Sequence, residues 1–221
     1  TNHILLKYLT EQNNPGATSY IYNNLGYTYV KMGDPRKASD SFLKAYELNQ
    51  LFNPGNQDQA ILLTNIGICY QNLNENDNAL SYLHQALSIR KDHKEYKETA
   101  ILENIIARIY LGKRDFYNAG IYSIRSVESS KKADDPRVLQ DCYHTYSGIL
   151  KQGNDHSKAL VYYELYLNIR DSLLLEQRLE EQELNRKMID LEKTEKELRL
   201  ILADEELKEM EMKNLQIESE K

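Results

Sequence analysis

Tryptophan is absent from this chain and cysteine is nearly so. Cys69 and Cys142 are far apart, and neither has CxxC or metal-ligand spacing, so both are expected to be buried free thiols. No apolar run is long enough to span a bilayer, and the start, Thr1-Asn2-His3-Ile4-Leu5-Leu6, is not a secretory signal. The chain also lacks an initiator Met, which leads us to expect a fragment or a processed product. Dinucleotide, phosphate-loop, nucleophile-elbow and kinase signatures are missing. The five histidines (His3, His84, His93, His144 and His156) show no metal-ligand spacing. An active site needs a converging set of groups. None is recognisable here, so no catalysis, cofactor or metal is expected of this segment.

Charge of either sign is scarce where a polyanion would need it. Residues 1–171 hold 19 acidic and 19 basic side chains, whereas residues 172–221 hold 15 acidic and 9 basic, which accounts for the whole net charge of −6. No basic patch is dense enough to follow a phosphate backbone, so nucleic acid is not an expected partner of this segment. An acidic surface likewise disfavours anionic lipid.

What is present is an echo. Gly26 with Tyr29 and Ala38 returns as Gly67 with Tyr70 and Ala79, then as Ala107 with Tyr110 and Ala119, then as Ser147 with Leu150 and Ala159. The alanines are 41, 40 and 40 residues apart. A fixed period of this size marks a solenoid of stacked helical hairpins, an architecture that binds partners along a surface. Pro15-Gly16 and Asn53-Pro54-Gly55 read as hairpin boundaries, because proline cannot continue a helix and glycine accepts a left-handed turn. Helices are expected over Ser19 to about Met32 and Pro35 to about Gln50. Asp34 is the N-cap candidate and Pro35 the first-turn residue. Further breaks are expected at 74–77, 112–115 and 153–155. Residues 1–16 then read as the end of a truncated upstream repeat, with helix over 3–10. Residues 17–170 read as four hairpins and 171–221 as one long helix.

Glycine and proline vanish altogether after Gly153, a run of 68 residues dominated in its second half by good helix formers. The last hairpin's second helix is therefore expected to continue without a stop. A helix of that length needs a partner. Leu184, Met188, Leu191, Leu198 and Leu202 lie on a three-four ladder interrupted by Glu195. Leu200, Ala203, Leu207, Met210, Asn214 and Ile217 form a second ladder out of phase with the first, so a register break is expected near 200–203. We read Leu184, Met188, Leu191, Leu198, Leu202, Leu207, Met210, Asn214 and Ile217 as the seam of a homodimeric coiled coil, with Asn214 fixing register. The alternative is a solvated single helix that frays.

The constellation Tyr22-x2-Leu25-Gly26-x2-Tyr29 followed by Ala38-x3-Phe42 and Ala45 resembles the tetratricopeptide repeat (TPR). So does Leu63-x2-Ile66-Gly67-x2-Tyr70 followed by Ala79-x3-Leu83 and Ala86. Close helix crossings need small residues where the helices meet, here Gly26 with Ala38 and Gly67 with Ala79, with large residues filling the space around them. The third unit departs from the pattern with Ser123 and Ser126, and the fourth with Ser147 in the small slot. The resemblance implies an all-α, TPR-like right-handed superhelix of antiparallel hairpins, followed here by the long helix. It also implies that first helices line a concave groove for a protein or peptide ligand. The positions carried over are Tyr20, Asn23, Tyr27 and Lys31 in the first unit and Thr64, Ile68 and Asn72 in the second. The third unit gives Asn104 and Arg108, and the fourth His144 and Lys151. The Lys/Asn clamp of some TPR domains is not reproduced, since Tyr27, Ile68, Arg108 and Gly148 occupy one of its key rows.

The junction Asn168-Ile169-Arg170-Asp171-Ser172-Leu173 and the Glu/Leu/Lys-rich helix after it resemble bacterial signalling proteins in which a TPR array runs into a coiled coil. In these, a membrane span often follows, and then a histidine kinase or DNA-binding output domain. The resemblance implies a sensory or regulatory region whose long helix dimerises and relays to an output domain absent from this sequence. A constitutive scaffold, in which the coil only dimerises, is the rival reading. Under the signalling reading the parent is membrane-anchored and the array lies on the periplasmic side of a bacterial inner membrane. A cytoplasmic position is the alternative.

Overall fold

The computed structural model describes residues 15–52 and 55–219, and every regular element among them is an α-helix. In chain order these are α1 Pro15–Lys31, α2 Pro35–Phe52, α3 Gln57–Asn72, α4 Asn76–Asp92, α5 Tyr96–Gly112, α6 Phe116–Ala133, α7 Pro136–Gln152 and α8 His156–Ser219. The helix expected over 3–10 lies outside the described residues, as do Asn53 and Pro54. Pro15 and Gly16, expected in a turn, instead open α1. Proline's fixed φ and missing N–H suit a first helical turn. None of the described helices is long and apolar enough to cross a membrane.

The turns share one construction. The chain leaves a helix through a left-handed residue: Gly33, Asn74, Arg114 and Asn154 within hairpins, Lys94 and Asp134 between them. An acidic residue follows each one. In five of the six turns its backbone N–H donates to a carbonyl of the helix just ended, as from Asp115 to Tyr110 at 2.9 Å and from Asp155 to Leu150 at 2.9 Å. In four turns the carboxylate also accepts a backbone N–H of the next helix: Asp34 from Lys37, Asp115 from Asn118, Asp135 from Arg137 and Val138, and Asp155 from Lys158. All four carboxyls lie below the usual carboxylate range. The leading cause is the Lys37 N–H for Asp34, the Asn118 side chain for Asp115, the Lys97 ammonium for Asp135 and the Lys158 ammonium for Asp155.

Packing explains the small slots. A β-carbon on Gly67 would lie 3.2 Å from the Ala79 carbonyl oxygen and 2.6 Å from Leu83 Cγ. On Gly26 it would fall 2.5 Å from the Phe42 ring. The first hairpin thus places the aromatic ring itself over the glycine. Phe42, 1% exposed, joins Ala38 and Ala45 against Leu62, Ile66 and Cys69 of α3. Leu83, Ala86 and Leu87 of α4 meet Leu102, Ile106 and Ile109 of α5 in the same way. In the third hairpin buried Ser123 stands where Phe42 and Leu83 do, and buried Ser126 where Ala45 and Ala86 do. Ser126 and Ser130 return their hydroxyls to the carbonyls of Ser123 and Val127 at 2.8 and 2.9 Å, so α7 can approach without stranding those hydroxyls. Each of the first three hairpins therefore completes its core only with the next.

The described residues form one compact unit through Arg170 and a second from Asp171. α8 is a single helix in both. Along the second unit Leu184, Met188, Leu191, Leu198, Leu202 and Met210 are all exposed. Leu207, Asn214 and Ile217 belong to α8, but their side chains lie outside the described part. Ion pairs four residues apart run along the surface: Glu183–Lys187 and Glu195–Arg199 at 2.7 Å, and Asp204–Lys208 at 2.5 Å. Each such exposed pair is worth only about 0.3–0.5 kcal/mol.

Candidate functional site

Because the repeats are in register, a given position of α1, α3, α5 and α7 recurs along the array. Two such rows matter. Asn23, Thr64, Asn104 and His144 stand three residues before the small slot. Tyr27, Ile68, Arg108 and Gly148 stand one residue after it.

The structure gathers six of these eight residues into two cavities, leaving out Asn23 and Thr64. The larger, about 850 Å³, brings together the expected Asn104, Arg108, His144 and Lys151. Gly148 opens it, since a β-carbon there would meet nothing within 4 Å. Its ionisable lining is Arg108, His144, Lys151 and His156 against the single carboxylate of Asp141. Among the described residues neither Arg108 nor Lys151 forms an ion pair, so both cations face the space uncompensated. The His144 ring packs on Tyr166 with centroids 4.8 Å apart, which fixes its direction.

The smaller cavity, about 370 Å³, holds Tyr27, Ile68 and Asn72 and carries no charged side chain. Tyr27 stands edge-on to Phe42, and its hydroxyl accepts from Asn65 Nδ2 at 2.9 Å. Cys69 also lines it, and burial pushes that thiol up to about 11, so it is protonated at neutral pH and a poor nucleophile. One end of the first-helix surface therefore suits neutral, partly apolar groups, and the other suits anions.

Tyr20, Asn23, Lys31 and Thr64 line neither cavity. Tyr20 and Lys31 are exposed beyond them. Asn23 is half-buried with Oδ1 enclosed, and Thr64 donates to the Ala60 carbonyl at 2.7 Å. Reading the groove from first helices alone misses His156, Leu160 and Tyr163 of α8, which form one wall of the larger cavity. The signal for them was available in the repeat alignment, where Tyr163 stands at the position of Phe42 and Leu83. Among the described residues no group of three or more His, Cys, Asp or Glu is placed to hold a metal ion.

The TPR family model matches residues 17–92. Comparison with curated proteins gives no sequence match. Solved structures do match. BtubC (BKLC) from P. vanneervenii has a TM-score of 0.68 at 18% identity, over 72% of this chain and 66% of that one. Aspartyl phosphate phosphatase F from Bacillus subtilis has 0.68 at 14%, over 72% and 42%. A signal transduction ATPase with numerous domains (STAND) from Pyrococcus horikoshii, a protein with a TPR sensor, has 0.68 at 14%, over 81% and 28%. The chain spans about two thirds of the first and less than half of the other two. Residues 17–92 match the tetratricopeptide repeat family model, and the hairpins after them continue the same all-α, TPR-like fold.

Proposed function

We propose that this protein–protein interaction array is the sensory or regulatory region of a bacterial signal-transduction protein. It takes a protein or peptide in the groove lined by Tyr27, Ile68, Asn104 and Arg108. Residues 171–219 dimerise and relay the bound state to an output domain. The reading is non-catalytic for this segment and places the array outside the inner membrane. The observation that carries it is α8 itself, one helix from His156 to Ser219 that includes both array residues and the apolar ladder. A helix without a break is a suitable element for a two-state relay. The exposed ladder supports dimerisation, because contiguous exposed apolar surface marks a contact site. The STAND neighbour, whose TPR array is called a sensor, lends the sensory role plausibility.

The test is disulfide cross-linking of a Leu191→Cys variant in cells, with and without Ile68→Asp in the groove. A relay predicts that the groove substitution changes cross-linking efficiency. Unchanged cross-linking would favour a constitutive scaffold, and absent cross-linking would remove the dimer.

A further inference from the structure

Three second helices of the array are covered and the fourth is not. Phe42, Leu83 and Ser123 stand at equivalent positions, and each is buried to 1% or less beneath the first helix of the following hairpin. That covering helix always presents buried side chains at i, i+4 and i+7: Leu62–Ile66–Cys69, Leu102–Ile106–Ile109 and Cys142–Tyr146–Ile149. At the same position in α8, Tyr163 is 44% exposed, and Leu160 beside it is 59% exposed. A solenoid normally ends on a polar outer face. This one ends on leucine and tyrosine. The same two side chains wall the larger cavity, whose cations Arg108 and Lys151 have no carboxylate partner.

We propose that an acidic amphipathic helix of a partner protein docks on this terminal face, in the place that α3, α5 and α7 take on the hairpins before them. Its apolar i, i+4, i+7 edge covers Leu160 and Tyr163, and carboxylates on its flank meet Lys151 and Arg108. A helix fits because three internal faces of the same construction each accept one. Acidic flanks fit because the cavity lining carries the two cations Arg108 and Lys151 and the single carboxylate of Asp141. The inference rests on the reading that the array binds a protein partner, and it names the chemistry of that partner.

The test uses the full chain and a fluorescent, helix-stapled peptide of about five turns, with leucines at i, i+4 and i+7 and glutamates on the flanks. A second peptide carries lysines in place of the glutamates. The glutamate peptide is expected to bind about tenfold more tightly than the lysine peptide, with the gap shrinking in high salt. Tyr163→Asp and Lys151→Glu, both at exposed positions, should each weaken it by about tenfold. Tyr117→Ala, at an exposed position that lines neither cavity, should leave it unchanged. Equal affinity for the two peptides, or binding indifferent to both substitutions, overturns the proposal. So does a dimer of the chain that dissociates on Tyr163→Asp, which would give the face to a second copy. If extended peptides bind in a Tyr27-dependent manner while the stapled helix does not, this inference fails and the groove reading survives. If neither binds, both fail.

Discussion

The array and the segment from Asp171 use the same apolar residues to opposite effect. In the array Leu63, Leu83 and Leu102 are buried because successive hairpins pack against one another. In the distal segment Leu184, Leu191 and Leu198 follow an equally regular spacing, and all are exposed. The array closes its core within one chain, so its stability should not depend on concentration. Among its described residues the distal helix buries no side chain, and its exposed ion pairs are too weak to hold it. On the proposed dimer, its folding should follow mass action.

The comparison is sharpened most by removing one large side chain from each region. Phe42→Ala strips the ring from Gly26 and opens a cavity against Leu62 and Ile66, and should cost about 3–5 kcal/mol in urea denaturation. Leu198→Ala should leave the array's transition in place and weaken self-association alone. Next come the glycines. Gly67→Ala forces a β-carbon onto Leu83 and the Ala79 carbonyl, and should destabilise by about 1–3 kcal/mol. Gly148→Ala meets open space in mid-helix and should stabilise by up to about 1 kcal/mol. If both substitutions behaved alike, close packing would not explain the small slot.

Smaller effects are expected at the turns. Arg114 sits at φ 59°, so Arg114→Gly should raise the thermal midpoint, gaining about 1 kcal/mol. Acid should also act there. Asp34, Asp115, Asp135 and Asp155 have carboxyls lowered in the folded state, so the stability they add is present above the ordinary aspartate value near pH 3.9. It is lost as pH falls through their lower folded values. A pH titration of array unfolding should therefore decline below about pH 4, and Asp→Asn caps, which keep an acceptor, should flatten the decline.

Much of this fold was legible in the residues. The 40-residue echo of small slots and alanines runs through the described hairpins, and the breaks expected at 74–77, 112–115 and 153–155 overlap the turns, although Asn76 and Asp77 already open α4 and Gly112 closes α5. Less legible was which turn residue would be left-handed. Nothing about Arg114 announces it, because the closing hydrogen bond from Asp115 to Tyr110 imposes that conformation. The candidate site was legible by register on first helices, and the structure does bring Asn104, Arg108, His144 and Lys151 together. Leu160 and Tyr163 escaped notice because the second helix reads as core. They become surface only where no further hairpin follows.

The most direct test of the contrast is circular dichroism at increasing protein concentration, paired with sedimentation equilibrium, on the full chain. The account predicts a mass twice that of one chain at high concentration, with helicity rising as the dimer forms and array unfolding constant throughout. A monomer whose helicity is complete and unchanged at every concentration would contradict it.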